Sequence, residues 1–174
     1  RGLLAGSQLV VTVMSNLGLL RSMDAAGISF EVTPVGDRNV LIALDRLGAN
    51  LGGEQSGHLI FTDRGGTGDG FLSGVQLLGL LKRSSRTIRD LAASSMVVFP
   101  QVLQNVRVTQ PMPDIADRIS REIAQAEAAL GEQGRVLVRA SGTEPVIRVM
   151  VEAADQATAQ QTCDGLCAAV EALV

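Results

Sequence analysis

Tryptophan and tyrosine are absent from this chain, and four phenylalanines are its whole aromatic complement, 2% of 174 residues. Proteins that hold single-stranded nucleic acid stack its bases on aromatic rings, so that class of partner is disfavoured. If a sugar is recognised here, polar groups must do it rather than ring stacking alone. Lysine is almost as scarce. Of the 15 basic residues only Lys82 is a lysine, and the net charge of -3 supplies no basic field for nucleic acid. Histidine occurs once, at His58, and cysteine twice, at Cys163 and Cys167. That inventory cannot complete a Cys/His metal site. The two cysteines stand four apart on an expected helix, where small buried residues are the ordinary reading. No apolar run approaches the ~20 residues of a membrane span, and no leader-like segment opens the chain. A cytoplasmic protein without nucleic-acid or membrane partners is therefore expected.

What is present suffices for a folded core: 46% of residues are hydrophobic and 19% charged. The first half alternates strand and helix signals. Leu9 to Val13 is a continuous apolar run of the kind buried on both faces of a parallel sheet. Ser15 or Asn16 is placed to cap a helix that ends at Gly27. A strand over 28–32 and a helix over 39–47 stopped by Gly48 follow, and a further strand spans 58–61. Asp69 is a natural N-cap for a helix over 70–82, and a short helix is expected over 87–93. Strands alternating with helices imply an α/β sandwich.

The pattern changes near residues 94–100. Residues 102–109 alternate, with Val102, Gln104, Val106 and Val108 on one side, which predicts a half-buried antiparallel strand. Pro111 and Pro113 introduce a single helix carrying Ile115, Ile119, Ile123, Ala126 and Leu130 at helical spacing. Strands over 135–139 and 146–152 flank a turn, and a helix over 156–173 closes the chain. On the second of these strands Ile147, Val149 and Val151 share a face, and Arg148 lies on the other. The order βαββα predicts a small antiparallel sheet with two helices packed on one face.

Two segments carry chemistry. Arg139-Ala140-Ser141-Gly142-Thr143-Glu144-Pro145-Val146-Ile147-Arg148 brackets a Ser-Gly-Thr turn with two guanidinium groups. Such a turn presents hydroxyls and backbone N–H groups to a phosphate, with Gly142 free to adopt a conformation larger residues resist. Arginine forks match phosphate oxygens in pairs. An ordinary solvated hairpin is the competing interpretation. The second segment, Gly52-Gly53-Glu54-Gln55-Ser56-Gly57-His58, places a carboxylate, a hydroxyl and an imidazole within five residues. Glu54 can accept from neighbouring sugar hydroxyls with Ser56 beside it, and His58 is suited to proton transfer at neutral pH. A packed or capping histidine is the alternative.

Taken together, these motifs resemble the α-D-phosphohexomutases, which carry a Gly-Glu-x-Ser-Gly-His sugar loop in their third domain and an Arg-x-Ser-Gly/Asn-Thr-x-Pro phosphate loop in their fourth. Thr33-Pro34-Val35-Gly36-Asp37-Arg38, Thr67-Gly68-Asp69-Gly70 and Phe99-Pro100-Gln101 extend the resemblance over essentially the whole chain. Gly142 and the run Arg148 to Glu152 lean towards the branch acting on glucosamine phosphates. The resemblance implies an α/β/α sandwich, incomplete at its N-terminus, over 1–96, devoted to sugar recognition. A phosphate-binding α+β domain over 97–174 would follow.

By the same resemblance, Arg139, Ser141, Gly142, Thr143 and Arg148 would hold a phosphate. Glu54 and Ser56 would read sugar hydroxyls, His58 would assist proton transfer, and Asp37 and Arg38 would line the cleft. Asp37 and Arg38 read equally well as a surface turn. The family's phosphoserine motif and its Asp-x-Asp-x-Asp-Arg magnesium loop do not occur in the sequence. The chain is therefore expected to be a carboxy-terminal part of a longer enzyme, inactive by itself, with magnesium bound only by the missing N-terminal domains. A hexosamine phosphate is the implied substrate. A glucose or mannose phosphate mutase, or a non-catalytic sugar-phosphate-binding module, would use the same loops.

Overall fold

The computed structural model of the protein describes residues 3–174, which form two compact units divided between Val98 and Phe99.

In the first unit a four-stranded sheet has the order β2-β1-β3-β4. Its strands are β1 (Gln8–Thr12), β2 (Ser29–Thr33), β3 (Leu51–Gly53) and β4 (Leu59–Phe61). The apolar run of β1 lies at the interior, parallel to β2 and β3, while β4 returns antiparallel along β3. Helix α1 (Leu17–Ala25) follows β1 and is capped by Asn16, whose side chain accepts from the Gly18 N–H at 3.0 Å. Helix α2 (Asp37–Leu47) ends at Gly48 in the left-handed conformation, φ 64°. Its buried Val40, Ala43 and Leu44 join Val10, Ala49 and Ile60 in the core.

Two further helices complete this unit. Asp69 caps α3 (Gly70–Ser84) by accepting from the Phe71 and Leu72 N–H groups at 2.8 and 3.0 Å. Thr87 and Asp90 form a reciprocal capping box on α4 (Ile88–Ser95). Neither α3 nor α4 contains a buried residue.

In the second unit β5 (Gln101–Arg107), β6 (Arg135–Ala140) and β7 (Val146–Glu152) form an antiparallel sheet with β7 in the middle. Helices α5 (Ile115–Arg118), α6 (Ser120–Leu130) and α7 (Gln156–Glu171) complete the expected βαββα order with one difference. The helix predicted as continuous across 115–130 breaks at Ile119, whose φ of -110° and ψ of 27° leave the helical region. Ile119 stays buried beside Ile115, so packing holds the apolar stripe across the break.

The core collects Val102, Val106 and Val138 with Ile147, Val149 and Val151, against Cys163, Leu166 and Val170 of α7. Strand β7 is apolar on its expected face but is buried on the other as well, where Met150 and Glu152 lie. Glu152 is a fully buried carboxylate joined to both neighbouring strands. It accepts from Gln101 Nε2 at 2.8 Å on one side and from Arg135 Nε on the other. A central strand has no solvent edge, so a polar residue there must be paired. Among the described residues no helix is long and apolar enough to cross a membrane.

Candidate functional site

The Glu54–His58 segment is the turn between the antiparallel strands β3 and β4, closed by the Glu54 N–H donating to the His58 carbonyl at 3.0 Å. Gly57 makes the turn possible, with φ at 94° where side chains are strained. Inside the turn the three polar groups meet. Ser56 Oγ lies 3.0 Å from His58 Nδ1 and 3.4 Å from Glu54 Oε2, and His58 Nδ1 lies 3.9 Å from Glu54 Oε2. The Glu54 side chain is 11% exposed and that of His58 53%. The acid is therefore seated at the base of the turn with the imidazole at its lip.

A residue outside the motif does the seating. The Gly36 N–H donates to Glu54 Oε1 at 2.7 Å. Gly36 immediately precedes α2 with φ 117° and ψ 128°, so the amide that fixes Glu54 depends on a glycine conformation. Oε1 is thus engaged by the backbone, which leaves Oε2 with the greater spare acceptor capacity for a ligand. Gly68 packs against His58 in the same way. A Cβ there would stand 3.0 Å from the His58 Cβ and 3.3 Å from Cδ2, so the segment leading into α3 walls one side of the ring.

Asp37 and Arg38 lie in the first turn of α2 rather than in a turn before it, because the helix begins two residues earlier than predicted. Asp37 Oδ1 accepts from the Arg38 N–H at 2.7 Å, both residues are exposed, and no described hydrogen bond joins either to the Glu54 cluster.

In the second unit the 141–145 segment links β6 to β7. The strand register sets Arg139 directly opposite Arg148. Two cations side by side disfavour each other's charge. Burial, reinforced by the Arg148 guanidinium, lowers the Arg139 pKa. Arg148 Nη2 has a partner in Glu144 Oε2 at 3.4 Å, whereas no carboxylate among the described residues pairs with Arg139. The Ser141 N–H is spent on the Val146 carbonyl at 2.9 Å, and the Thr143 N–H reaches Ser141 Oγ at 3.4 Å. Beside this turn lies a cleft of about 410 Å³, lined in part by Val108, Met112, Ser141, Gly142 and Thr143.

Gly142 is not in a positive-φ conformation, and a Cβ built on it meets nothing within 4 Å. The expected conformational role is thus corrected. Glu144 and Gly36 are the residues sequence reasoning missed. Glu144 shows no signal beyond its four-residue spacing to Arg148, and Gly36 shows only its place in the loop before α2.

Cys163 and Cys167 face inward from α7 and are buried. Burial first, then the neighbouring Cys167 thiol, pushes the Cys163 pKa up to about 12, and its Sγ lies 3.6 Å from the Val149 carbonyl. A thiol held protonated in this way is a poor nucleophile.

Residues 1–99 match the family model "Phosphoglucomutase/phosphomannomutase, alpha/beta/alpha domain III", and residues 103–169 match "Phosphoglucomutase/phosphomannomutase, C-terminal domain". A phosphoglucosamine mutase of Clavibacter michiganensis subsp. michiganensis is 52% identical over 171 residues, which cover 98% of this chain and 39% of that protein. The chain thus spans about two fifths of the length of the curated relatives it matches. Among solved structures, the Aspergillus fumigatus N-acetylphosphoglucosamine mutase superposes with a TM-score of 0.80 at 20% identity, over 95% of this chain and 38% of that one. The same fungal enzyme in complex with GlcNAc-6P and magnesium gives 0.76 at 19% identity, over 94% and 38%. At these identities the structural likeness speaks for the fold alone.

Proposed function

The chain belongs to the phosphoglucomutase/phosphomannomutase family, and from that premise we propose that it is the substrate-binding part of a phosphoglucosamine mutase. The longer protein would interconvert glucosamine 6-phosphate and glucosamine 1-phosphate. In this reading a serine elsewhere in the longer protein carries a phosphoryl group, passes it to the free oxygen of the sugar phosphate, and takes back the other phosphoryl group from the resulting bisphosphate.

Phosphoryl transfer is largely positioning and charge stabilisation, and the residues of this chain fit those tasks. Arg139 and Arg148 supply a paired cationic fork for the phosphate that is not reacting, with the Ser141 and Thr143 hydroxyls beside it. Glu54 Oε2 and Ser56 Oγ address sugar hydroxyls. His58, exposed at the lip of its turn with Nδ1 engaged by Ser56, is available to move a proton at a sugar oxygen. Magnesium held elsewhere in the longer protein would neutralise charge on the transferring phosphoryl group. Among the described residues no group of three or more His, Cys, Asp or Glu could hold a metal ion.

The observation that carries the reading is the cross-strand Arg139–Arg148 pair, in which a partly buried arginine has no carboxylate partner among the described residues. The substrate rests on the 52% identity to a phosphoglucosamine mutase. The test is to assay the longer protein on glucosamine 6-phosphate, glucose 6-phosphate and mannose 6-phosphate, each with its 1,6-bisphosphate and magnesium. The proposal expects kcat/KM to favour the amino sugar by at least about tenfold, some 1.4 kcal/mol. Equal or better turnover of glucose or mannose phosphate would assign the chain to a sibling activity.

A further inference from the structure

The face of the second sheet turned away from α6 and α7 carries a polar row that reaches a strand outside the phosphate turn. Core positions of this sheet are Val102 and Val106 on β5, Val138 on β6, and Ile147, Val149 and Val151 on β7. Alternation puts the residues between them on the opposite face. Register then sets Arg139, Arg148 and Asn105 side by side across all three strands, since Arg148 opposes Arg139 on one side and Asn105 on the other. Directly opposed side chains of an antiparallel pair start about 4.5–5.5 Å apart at Cβ. The next residue on the same face of β5 is Arg107, opposite Val146. This end of β5 is tied to the turn, because the Val108 N–H donates to the Pro145 carbonyl at 3.0 Å. Asn105 and Arg107 are both exposed, and no described hydrogen bond or ion pair engages either side chain. Asparagine is disfavoured inside strands, so propensity gives no reason for one in the middle of β5.

We propose that β5 is part of the anion site: Asn105 Nδ2 donates to the phosphate held by Arg139 and Arg148, and Arg107 supplies peripheral charge that attracts it. The inference rests on the phosphate reading given above and extends that site from one hairpin to all three strands. An amide suits the position. It adds a donor without adding a third charge beside two arginines that already disfavour each other. Arg107 faces an apolar cross-strand neighbour instead of another cation, so its charge is added at the rim at less cost.

Titration of residues 1–174 with inorganic phosphate, followed at the Gly142 and Thr143 amides, tests this with Arg148→Ala as the reference. Asn105→Val removes the amide and installs a residue that strands favour. Its Kd for phosphate is expected to rise about tenfold, the loss of a hydrogen bond to a charged acceptor, with Tm unchanged or higher. Arg107→Gln is expected to weaken binding about threefold in dilute buffer. That loss should vanish in ~0.5 M salt, where exposed charges are screened, whereas the Asn105→Val loss persists. Wild-type affinity in Asn105→Val, with Arg148→Ala impaired, would overturn the proposal and leave the hairpin site intact. Wild-type affinity in both variants would overturn it together with the phosphate reading. A Tm that falls along with the affinity of Asn105→Val would make Asn105 a structural residue and also defeat the proposal.

Discussion

Arg148 is held between two demands. Its partner Glu144 lies at 3.4 Å, a distance that leaves the guanidinium able to turn to a stronger anion, while Arg139 across the sheet adds repulsion that an anion would relieve. A phosphate bound here would satisfy both arginines at once. Arg148→Ala in the longer protein is therefore expected to lower kcat/KM about thirtyfold, roughly 2 kcal/mol, with Tm almost unchanged. Arg148→Lys should recover only part of the loss, since a lysine cannot supply the planar fork. Steady-state kinetics on the three proteins checks both statements.

The cysteines make a separate statement about pH. The folded Cys163 thiol has its pKa raised from 9.0 to about 12, so the unfolded chain releases that proton first as pH rises. The stability contributed by the buried thiol is complete below pH 9 and is lost as pH climbs towards 12. The slope approaches about 1.4 kcal/mol per pH unit where the unfolded thiol is ionised and the folded one is not. The absence of tyrosine and the presence of a single lysine leave few other side chains titrating in that window. Urea denaturation between pH 8.5 and 11 should show the decline, and Cys163→Ala should reduce it, leaving the part due to Cys167, whose pKa burial also raises. An unchanged slope in the variant would contradict the assignment.

At the scale of elements, the Glu54 turn is held by a neighbour in space rather than in sequence. The loop before α2 reaches the β3–β4 turn through one hydrogen bond, from Gly36 to Glu54, and that bond requires φ 117°. Gly36→Ala strains the backbone by on the order of 1–3 kcal/mol and displaces the amide. The longer protein carrying it is expected to lose at least about tenfold in kcat/KM for the sugar phosphate, while inorganic phosphate inhibits it as before. Loss of phosphate inhibition as well would mean that the change spreads beyond the sugar loop.

Much of this scale was legible because its signals are local. The Asp69 cap, the Gly48 stop and the alternation along β5 all lie within a few residues of what they determine. The break at Ile119 was not legible, since its apolar spacing continues through it. The burial of Glu152 was hidden for a different reason. Arg135 and Gln101 are 17 and 51 residues away in sequence, and only the central place of β7 brings all three together. The 141–145 segment read correctly as a linker between strands, but Gly142 does not adopt the positive φ its residue type allows, and residue type alone does not display the φ a glycine takes.

At the scale of the whole molecule the chain is two units with two chemistries: a carboxylate–hydroxyl–imidazole turn in the first and an arginine-flanked turn in the second. The central claim is that the first reads sugar hydroxyls and the second takes phosphate. Nuclear magnetic resonance of the 15N-labelled chain during titration with glucosamine 6-phosphate tests it most directly, with inorganic phosphate and unphosphorylated glucosamine as controls. The account predicts that glucosamine 6-phosphate shifts the amides of both 54–58 and 141–144, that phosphate alone shifts only 141–144, and that glucosamine alone shifts only 54–58. Resonances of 54–58 that ignore both sugars, or of 141–144 that ignore both phosphates, would contradict it.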